Sequence, residues 1–362
     1  MTERRRFIAT AGGLVAAAAA TAIEAPRVIA QPKIQWRMST SWTAALAIQG
    51  AAQRLAKVVE EMSGGRFRIE VFPGGQIMQP FDCFAATSQG RIEAFMGCSY
   101  YWAQQEPAVE WFTTIPFGMN AEGMSAWYTD ADGLKLWEEA YAPFNLVPRP
   151  GPSIAPQMAG WFRKRINTIG DYKGLRMRIP NLGGKVIARA GGTFVTTPGG
   201  DIYAALELGV IDAAEWIGPH DDMALGLHRT ARYYYYPGWH EPGTTTVFGF
   251  NKKAYEGLPV DLQRMLDHAS AAVDVYGHRD HHAKNAIALD RLRVEFKDKV
   301  EVLLLPTAVL RDLKKLSGEV IRTESEKSPM GRKVHASFTR LQALVGPWDH
   351  VAESAYQQYV RG

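Results

Sequence analysis

The stretch Phe84-Ala-Ala-Thr-Ser-Gln-Gly-Arg-Ile-Glu-Ala94 matches Tyr203-Ala-Ala-Leu-Glu-Leu-Gly-Val-Ile-Asp-Ala213 without a gap. Each copy has the pattern of a helix, a glycine C-cap and a strand. Glycine is favoured after any helix, so a chance similarity is the alternative. The residues upstream also agree, because Gly65-Arg-Phe-Arg-Ile69 and Gly174-Leu-Arg-Met-Arg-Ile179 are both predicted strands that lead to a proline and paired glycines. The repeat therefore predicts two similar α/β lobes.

The rest of the chain extends this pattern on both sides. Alternating apolar residues predict strands at Ile34–Ser39 and Arg66–Phe72. Tyr233–Tyr236 is a β-prone aromatic run and a candidate hinge strand between the lobes, and Thr244–Phe250 is a further strand. A long helical region runs from Asp261 to about Asp298. This order predicts an α/β fold with mixed, mostly parallel sheets, hinge strands and a long C-terminal helical region.

Length and composition set the number of domains. With 362 residues, 46% hydrophobic and 22% charged, the chain has globular composition and enough length for two cores. The predicted parts are an export signal at 1–30, lobe I at 31–155, lobe II at 156–242, a return to lobe I with part of the long helix at 243–285, and helices at 286–362 that pack on lobe II or on a dimer partner.

The first thirty residues have the pattern of an export signal, which predicts a periplasmic protein. Arg4-Arg-Arg-Phe-Ile8 precedes an alanine-rich apolar run, and Val28-Ile-Ala30 fits a small-residue cleavage site. The paired arginines favour the twin-arginine route, with a Sec-type signal as the alternative. Removing this segment removes four arginines and two glutamates, which lowers the formal charge from +4 to +2. A nearly neutral protein is a poor candidate for binding nucleic acid.

Leu175-Arg-Met-Arg-Ile179 places its apolar residues at every second position, which predicts a half-buried strand with Arg176 and Arg178 on the other face. Pro180 ends this strand before a predicted loop at Asn181–Gly184. Open α/β sheets leave their ligand crevice at the carboxyl ends of strands. The guanidinium of Arg178 is therefore a candidate to hold a carboxylate by two hydrogen bonds, with pairing to an acidic neighbour as the alternative.

Three side chains with oxygen atoms lie in apolar or aromatic surroundings. Glu215 follows two alanines in an apolar predicted strand, where an unpaired carboxylate is costly to bury. Glu241 follows an aromatic segment, and Gln157 adds a neutral amide oxygen at the start of lobe II. Oxygen ligands of this kind suit a hard cation such as sodium or calcium. The alternative is that each glutamate makes a separate hydrogen bond.

Aromatic residues follow the predicted strand ends that face the cleft. Tyr100 and Tyr101 come after the strand of lobe I, and Trp216 follows Glu215 at the corresponding strand end of lobe II. Both strand ends are expected to face one cleft between the lobes. These side chains are therefore candidates for the wall of a ligand site.

Other groups of residues indicate less. His278, His281 and His282 have the spacing of a metal site on a helix, but their charged neighbours favour a solvated helical face. Cys83 and Cys98 either pair in an oxidising compartment or remain buried thiols. The sequence has no Ser-His-Asp, Gly-x-Ser-x-Gly or Cys-x-x-Cys pattern in place, so no catalytic apparatus is evident.

Five segments taken together are specific: Gln157-Met-Ala-Gly-Trp-Phe-Arg-Lys164, Gly174-Leu-Arg-Met-Arg178, Gly200-Asp-Ile-Tyr-Ala-Ala-Leu-Glu207, Asp212-Ala-Ala-Glu-Trp-Ile-Gly-Pro219 and Tyr233-Tyr-Tyr-Tyr-Pro-Gly-Trp239. With them the chain resembles the extracytoplasmic solute-binding proteins of TRAP transporters (DctP type), and among these the branch that binds 2-oxo acids such as pyruvate. The resemblance covers essentially the whole mature chain. It implies the two-lobed periplasmic solute-binding protein fold.

The resemblance also implies roles for the candidate residues. The family's strand arginine, which matches Arg178, grips the ligand carboxylate. The positions matching Gln157, Glu215, Trp216 and Glu241 hold a metal ion that bridges to the substrate, with Trp216 contributing through its main chain. A 2-oxo or 2-hydroxy acid suits such a site, because its carboxylate oxygen and the adjacent oxygen can chelate one cation.

Charge balance and local differences refine this implied site. Two glutamates and one ligand carboxylate carry three negative charges, which Arg178 and calcium would neutralise, whereas Arg178 and sodium supply only two positive charges. His240 and Pro242 flank Glu241 where closer relatives would be more aromatic and glycine-rich, and the first-lobe wall at 41–45 differs as well. The pocket is therefore expected to take a different side chain on the acid.

The implied function is capture rather than catalysis. Ligand binding stabilises a closed form that docks on membrane permease subunits, with Tyr100 and Tyr101 as the lobe I contacts. A homodimer through the C-terminal helices is expected. Two alternatives stay open at this point: a periplasmic metal-dependent enzyme that acts on an oxo acid, and a ligand-presenting partner of a membrane sensor.

Overall fold

Strands and helices alternate through residues 33–154 and 156–360, which the computed structural model describes; the predicted export signal at 1–30 lies outside them. The strands are β1 Ile34–Thr40, β2 Phe67–Phe72, β3 Ala94–Gly97, β4 Leu146–Ile154, β5 Gly160–Phe162, β6 Arg176–Arg178, β7 Thr193–Val195, β8 Ala213–Ala214, β9 Tyr233–Tyr236, β10 Thr244–Asn251 and β11 Glu301–Leu304. The helices are α1 Gly50–Met62, α2 Cys83–Ser88, α3 Ala121–Thr129, α4 Gly133–Tyr141, α5 Asn181–Arg189, α6 Ile202–Glu207, α7 Pro219–Ala224, α8 Lys252–Glu256, α9 Val260–Glu295, α10 Thr307–Ser325, α11 Pro329–Asp349 and α12 Ala355–Tyr359.

The strands form two mixed sheets. In the first sheet, ordered β2-β1-β3-β10-β4, β1 runs parallel to β2 and β3, and β10 runs antiparallel to β3 and β4. In the second sheet, ordered β11-β9-β5-β8-β6-β7, β5 runs antiparallel to both of its neighbours and the other pairings are parallel. Parallel pairings outnumber antiparallel ones among the described strands, which agrees with the predicted α/β fold.

The two copies of the repeat adopt the same local structure. After α2, Gly90 has a φ of 71°, and after α6, Gly209 has a φ of 69°, a left-handed conformation that favours glycine. Each glycine amide donates to a carbonyl three residues earlier, over 3.0 Å to Thr87 and 3.1 Å to Leu206. The strands that follow, β3 and β8, pair in parallel with β1 and β6 respectively. The repeat therefore marks equivalent positions in the two sheets.

The aromatic run at Tyr233–Tyr236 differs from its prediction as a crossing strand. It is β9, inside the second sheet, and the chain crosses to the first sheet afterwards, in residues 237–243. The rings hold it there, because Tyr234 stacks on Trp161 of β5 with centroids 3.9 Å apart. Main-chain pairing with β5 and β11 fixes both of its edges.

The segment Asn181–Gly184, predicted as a loop, is the first turn of α5. Pro180 has an extended conformation and marks the helix start, which is compatible with the restrictions of proline. Gly184 then packs against the ring of Phe194 on β7, where a side chain would collide. The paired glycines thus serve helix-to-strand packing rather than a loop.

The C-terminal helices pack differently from the prediction that residues 286–362 contact lobe II or a dimer partner. Helix α10 does contact α5. Helix α11, however, packs on α3, α4 and the 3₁₀ segment Pro107–Phe112, all within the range predicted as lobe I. The apolar face of α11 explains this, because Phe338 packs edge-on against the buried Trp127.

Helix α9 connects elements of both sheets. Its first part packs on α1 and β4, and it also contacts α7, which follows the second-sheet strand β8. Gly277 lies within this helix, and its missing side chain lets Pro152 of β4 approach closely. Within 33–154 and 156–360, no helix combines the length and apolar character needed to cross a membrane.

Candidate functional site

Arg178 lies at the carboxyl end of β6 with its side chain 1% exposed. Its Nη1 donates to Glu215 Oε1 and also to the Glu215 carbonyl at 3.1 Å. Its Nε and Nη2 each donate to the Thr197 carbonyl at 3.2 Å. The guanidinium carbon is 5.0 Å from the centre of the Trp216 ring. The guanidinium is therefore enclosed on several sides, and it makes the acidic pairing that the sequence left as an alternative.

Glu215 directly follows β8 and is fully buried. Its main-chain amide donates to the Arg178 carbonyl at 3.1 Å, which extends the register between β6 and β8. Its Oε2 lies 3.2 Å from Nε2 of His240, a residue that is 1% exposed. One carboxylate thus contacts a guanidinium on one side and an imidazole on the other.

Glu241 and Gln157 are brought together where the chain crosses between the sheets. The side-chain Nε2 of Gln157 donates to Glu241 Oε2 at 2.7 Å, and the main-chain N–H of Gln157 donates to the main-chain carbonyl of Glu241 at 3.2 Å. Glu241 Oε2 also accepts from Thr244 Oγ1 at 2.6 Å. The remaining side-chain oxygens, Gln157 Oε1 and Glu241 Oε1, are buried and have no hydrogen-bond partner in the described part of the chain.

The aromatic candidates lie around these polar groups. Trp216 is 5% exposed, and its indole packs against Gly199. Tyr100 is buried in the 3₁₀ segment Ser99–Trp102, and its carbonyl accepts from Asn181 Nδ2 at the start of α5. Tyr101 packs on Tyr100 with ring centroids 5.0 Å apart. The two strand ends expected to face one cleft are therefore close in space.

The electrostatic surroundings favour additional positive charge. Burial raises the pKa of Glu241 to about 7, and the neighbouring Glu215 carboxylate acts in the same direction. Burial opposes the charge of Arg178, but the Glu215 carboxylate raises its pKa above the ordinary value. Burial raises the pKa of the Tyr100 and Tyr101 phenols, and both glutamates add to that effect.

The donor set fits a metal ion. Glu215, His240 and Glu241 each present a ligand atom, and these atoms all lie within 4.8 Å of one another. The unpartnered oxygens of Gln157 and Glu241 adjoin them, and buried acceptors without a donor are costly. Carboxylate and amide oxygens are the ligands of hard cations such as calcium or sodium. Trp216, whose main chain is predicted to contribute a ligand to the cation, directly follows Glu215 in the sequence.

The histidines of α9 are not gathered into a metal site. His281 is buried rather than solvated as predicted, because α7 covers it: its Nδ1 donates to the Gly277 carbonyl at 2.9 Å, and its Nε2 is 3.4 Å from Asp221 Oδ2. His278 is half-buried and His282 is exposed. Asp221 is the partner that the sequence pattern on α9 alone did not reveal.

Several residues near the site were missed or left open by sequence reasoning. From the sequence, His240 stands out only as a difference from relatives, although its place next to Glu241 in the sequence already indicates that it lies near the candidate cation ligands. Thr244 joins through its hydroxyl, and no sequence pattern marks it. Cys83 and Cys98 are both free and buried, which decides between the two interpretations of the cysteines.

Comparison with known proteins gives a family match over most of the chain. The family described as bacterial extracellular solute-binding protein, family 7 (DctP), matches residues 38–327. The chain is also 36% identical over 328 residues to the monocarboxylate 2-oxoacid-binding periplasmic protein of Nostoc sp., across 91% of this chain and 89% of that protein.

Two solved structures are similar along nearly their whole length. A TRAP transporter solute-binding protein from Bordetella bronchiseptica, a dimer with copurified calcium and picolinate in one active site and an apo second site, has 36% identity and a TM-score of 0.88, covering 91% of this chain and 97% of that one. One from Pseudoalteromonas atlantica with bound sodium and pyruvate has 34% identity and a TM-score of 0.87, covering 90% and 99%. The predicted family, two-lobed fold and periplasmic location are confirmed: the chain belongs to the DctP family of bacterial extracellular solute-binding proteins.

Proposed function

We propose that this protein binds a small 2-oxo or 2-hydroxy monocarboxylate as a chelate with one hard cation, calcium or sodium, and delivers it to the membrane permease of a TRAP transporter. The observation that carries the proposal is the enclosed Arg178–Glu215 pair beside two buried acceptors without donors, Gln157 Oε1 and Glu241 Oε1. The acids and cations bound by the Bordetella and Pseudoalteromonas relatives support it.

Each residue has a distinct task in this proposal. Arg178 holds the ligand carboxylate through charge-assisted hydrogen bonds, which are stronger than neutral ones. Gln157, Glu215, Glu241 and the main chain of Trp216 would hold the cation, which would supply a positive partner for the chelating oxygens of the acid. Glu215 pairs with Arg178 in the free protein, so a cation held by Glu215 would leave Arg178 more available to the ligand carboxylate. Ligand and cation are therefore expected to bind cooperatively.

The cleft walls complete the binding site. Tyr100 and Tyr101 approach the ligand from the first-sheet side, and Trp216 contacts it from the second-sheet side. We assign lobe I to residues 31–155 and 243–285 and lobe II to residues 156–242. Closure of these lobes around the ligand forms the surface that docks on the permease, and the closed form is selected by contacts that only the bound ligand makes.

We further propose binding without turnover. The similar solved structures are solute-binding proteins of TRAP transporters, which supports this proposal. Incubating the purified protein with calcium and pyruvate and following the acid by NMR tests it. The acid should stay unchanged over hours, and conversion beyond the protein-free sample would indicate an enzyme instead.

The binding proposal is tested by isothermal titration of metal-stripped mature protein. Pyruvate, lactate and longer 2-oxo acids are added with and without calcium or sodium. We expect at least one acid to bind with micromolar affinity, about 8 kcal/mol, only when the cation is present. Affinity that is the same with and without any cation would refute the chelate.

A homodimer through the C-terminal helices is part of the proposal. Helices α11 and α12 and the π-helical segment His350–Ser354 that joins them leave large apolar side chains exposed, among them Leu344 at 69%, Trp348 at 67%, Val351 at 66% and Tyr359 at 77%. Leu344, Trp348 and Val351 follow one another at spacings of four and three residues, which places them along one helical side, and Tyr359 follows eight residues later. The Bordetella relative is a dimer. Sedimentation should give a dimer that Trp348→Glu converts to monomer; a monomeric wild type would refute it.

A further inference from the structure

Beside the candidate cation ligands lies a small, partly enclosed chamber, and two residues of its lining, Glu110 and Thr114, have no role in the proposal above. It has a volume of about 10 Å³ and is lined by Tyr100, Glu110, Thr114, Asn181, His240 and Glu241, together with apolar atoms. A space of this size holds roughly one water-sized group. Because Glu241 and His240 belong both to the chamber and to the cation cluster, the chamber adjoins the place where the proposed ligand is chelated.

The lining of the chamber is strongly polar. Three side chains in its lining each have a buried polar atom without a hydrogen-bond partner in the described part of the chain: Glu110 Oε2, Thr114 Oγ1 and His240 Nδ1. Their residues are between 1% and 6% exposed. The unpartnered Glu241 Oε1 is assigned above to the cation, but buried polar groups in folded proteins are almost always paired, so the other three indicate a further polar group of the ligand.

Glu110 is held in place by a contact between the two halves of the molecule. Its Oε1 accepts from Lys185 Nζ at 2.8 Å, and Lys185 also donates to Glu324 at 2.7 Å. Glu110 lies in the 3₁₀ segment Pro107–Phe112, and Lys185 lies on α5, just after the strand of Arg178. Only Oε2 of Glu110 therefore remains to form a hydrogen bond with a group bound in the chamber. Burial raises the pKa of Glu110 to about 7, so its Oε2 accepts a hydrogen bond in the ionised form and donates one only in the protonated form.

We propose that the chamber receives the substituent on the third carbon of the bound acid, and that the preferred ligand has a hydroxyl there, as in a 3-hydroxy-2-oxo acid or a 2,3-dihydroxy acid. This inference rests on the proposed function. A hydroxyl has the required size and both donates and accepts, which matches Glu110 and Thr114. A methyl group of the same size leaves the lining unpaired, and sites built for a hydroxyl reject such analogues strongly.

The test uses two acids that differ only in this group. Hydroxypyruvate and 2-oxobutyrate are titrated into the full mature protein with calcium, and the ratio of their dissociation constants is measured. Hydroxypyruvate should bind at least about tenfold more tightly than 2-oxobutyrate. Thr114→Val, which keeps shape but removes the hydroxyl, and Glu110→Gln, which keeps a partner for Lys185, should each reduce the ratio to below about threefold.

A matched control is Thr87→Val, since Thr87 is a buried threonine on α2 whose hydroxyl donates to the Cys83 carbonyl, away from the chamber. Its ratio should equal that of the wild type. Equal or tighter binding of 2-oxobutyrate in the wild type overturns the inference, as does a preference that survives both chamber variants. If pyruvate binds with calcium but no hydroxyl preference is seen, only this inference fails; if no acid binds with any cation, the proposed function itself fails.

Discussion

Two arginine–carboxylate pairs join the same two strands of the second sheet, yet their surroundings differ completely. Arg176 contacts Asp212 through Nε at 2.9 Å and Nη2 at 2.8 Å, with the side chains 49% and 34% exposed. Arg178, two residues later, pairs with Glu215, and both side chains are 1% exposed. One sequence pattern, an arginine on β6 opposite an acid beside β8, thus gives two pairs with different physical roles.

The difference shows why a binding site is proposed at one pair and not at the other. Water screens the Arg176–Asp212 pair, so its contribution is small. The Arg178–Glu215 pair lies where the two sheets approach, next to the unpartnered oxygens of Gln157 and Glu241. In that enclosed setting an unpaired charge is strongly unfavourable, so a ligand carboxylate that takes the place of Glu215 at Arg178 must leave Glu215 another positive partner, the role we propose for the cation. Burial of the pair, and not the pairing itself, therefore distinguishes the site.

The largest effect is expected from breaking the buried pair. Arg178→Ala removes the proposed contact to the ligand carboxylate and leaves Glu215 buried without the guanidinium that pairs with it. We expect acid binding to fall at least about 100-fold and the free energy of unfolding to fall by about 3–5 kcal/mol. Titration and chemical denaturation measure these. Arg176→Ala is the matched control, and an equal loss of binding in both variants would contradict the distinction between the pairs.

The next effect concerns the carboxylate that adjoins the buried pair. Glu241→Gln keeps the side-chain shape but removes one negative charge and one oxygen from the proposed cation ligands. Calcium affinity in the presence of the acid should fall by about tenfold or more, since hard cations prefer charged oxygens. Glu207→Gln, on the exposed side of α6, is the control. Unchanged calcium affinity in Glu241→Gln would remove Glu241 from the cation site.

Asp222 extends the comparison of the two pairs, because its carboxylate is buried like that of Glu215 but has no cationic partner within the described residues. Asp222 is 1% exposed and accepts from Trp161 Nε1 at 2.9 Å and from the Tyr234 hydroxyl at 2.8 Å. Burial raises its pKa to about 7. Between pH 4 and 7 the folded protein therefore holds a proton that the unfolded chain has lost, and this contribution to stability disappears as the pH rises through 7.

Asp222→Asn should remove that pH dependence. We expect the loss of stability between pH 5 and pH 8 to be smaller in the variant by about 1–3 kcal/mol, measured by chemical denaturation across this range. Asp290→Asn, on the exposed face of α9, should follow the wild-type curve. Parallel curves for Asp222→Asn and wild type would mean that Asp222 is ionised in the folded state.

The smallest effect is expected at the exposed pair. The hydrogen bond from Arg176 holds the pKa of Asp212 below its ordinary value, so the pair contributes stability above pH 4 that is lost as the pH falls through the lowered pKa. Because the pair is exposed, Asp212→Asn should reduce the free energy of unfolding by less than about 1 kcal/mol at pH 7. Acid affinity should stay within about twofold of wild type, and a larger loss would extend the site to this pair.

The sequence predicts those features that depend on local chemistry. The turns at Gly90 and Gly209 require a left-handed residue, so the repeat is visible without any structure. Arg178, Glu215 and Glu241 stand out because charged residues are unusual in apolar stretches. Their roles in binding remain predictions until the variants are measured.

The features that sequence reasoning missed depend on contacts between distant segments. Glu110 meets Lys185 only because the 3₁₀ segment Pro107–Phe112 packs beside α5, 75 residues later in the chain. His281 is buried because α7 covers it, although the pattern on α9 indicates a solvated face. The paired glycines lie inside α5, where Gly184 packs against Phe194, and no local pattern of glycines distinguishes this arrangement from a loop.

Helix α9 has a mechanical consequence for any motion of the cleft. Its 36 residues form a continuous rod about 54 Å long that is fastened to α1 and β4 along one part and to α7 along another. Helices curve only gently, so a swing of one sheet relative to the other bends this rod or slides it past Pro152 at Gly277. Because bending a long helix costs energy, α9 is expected to oppose a wide opening of the cleft, and more strongly the further the two sheets swing apart.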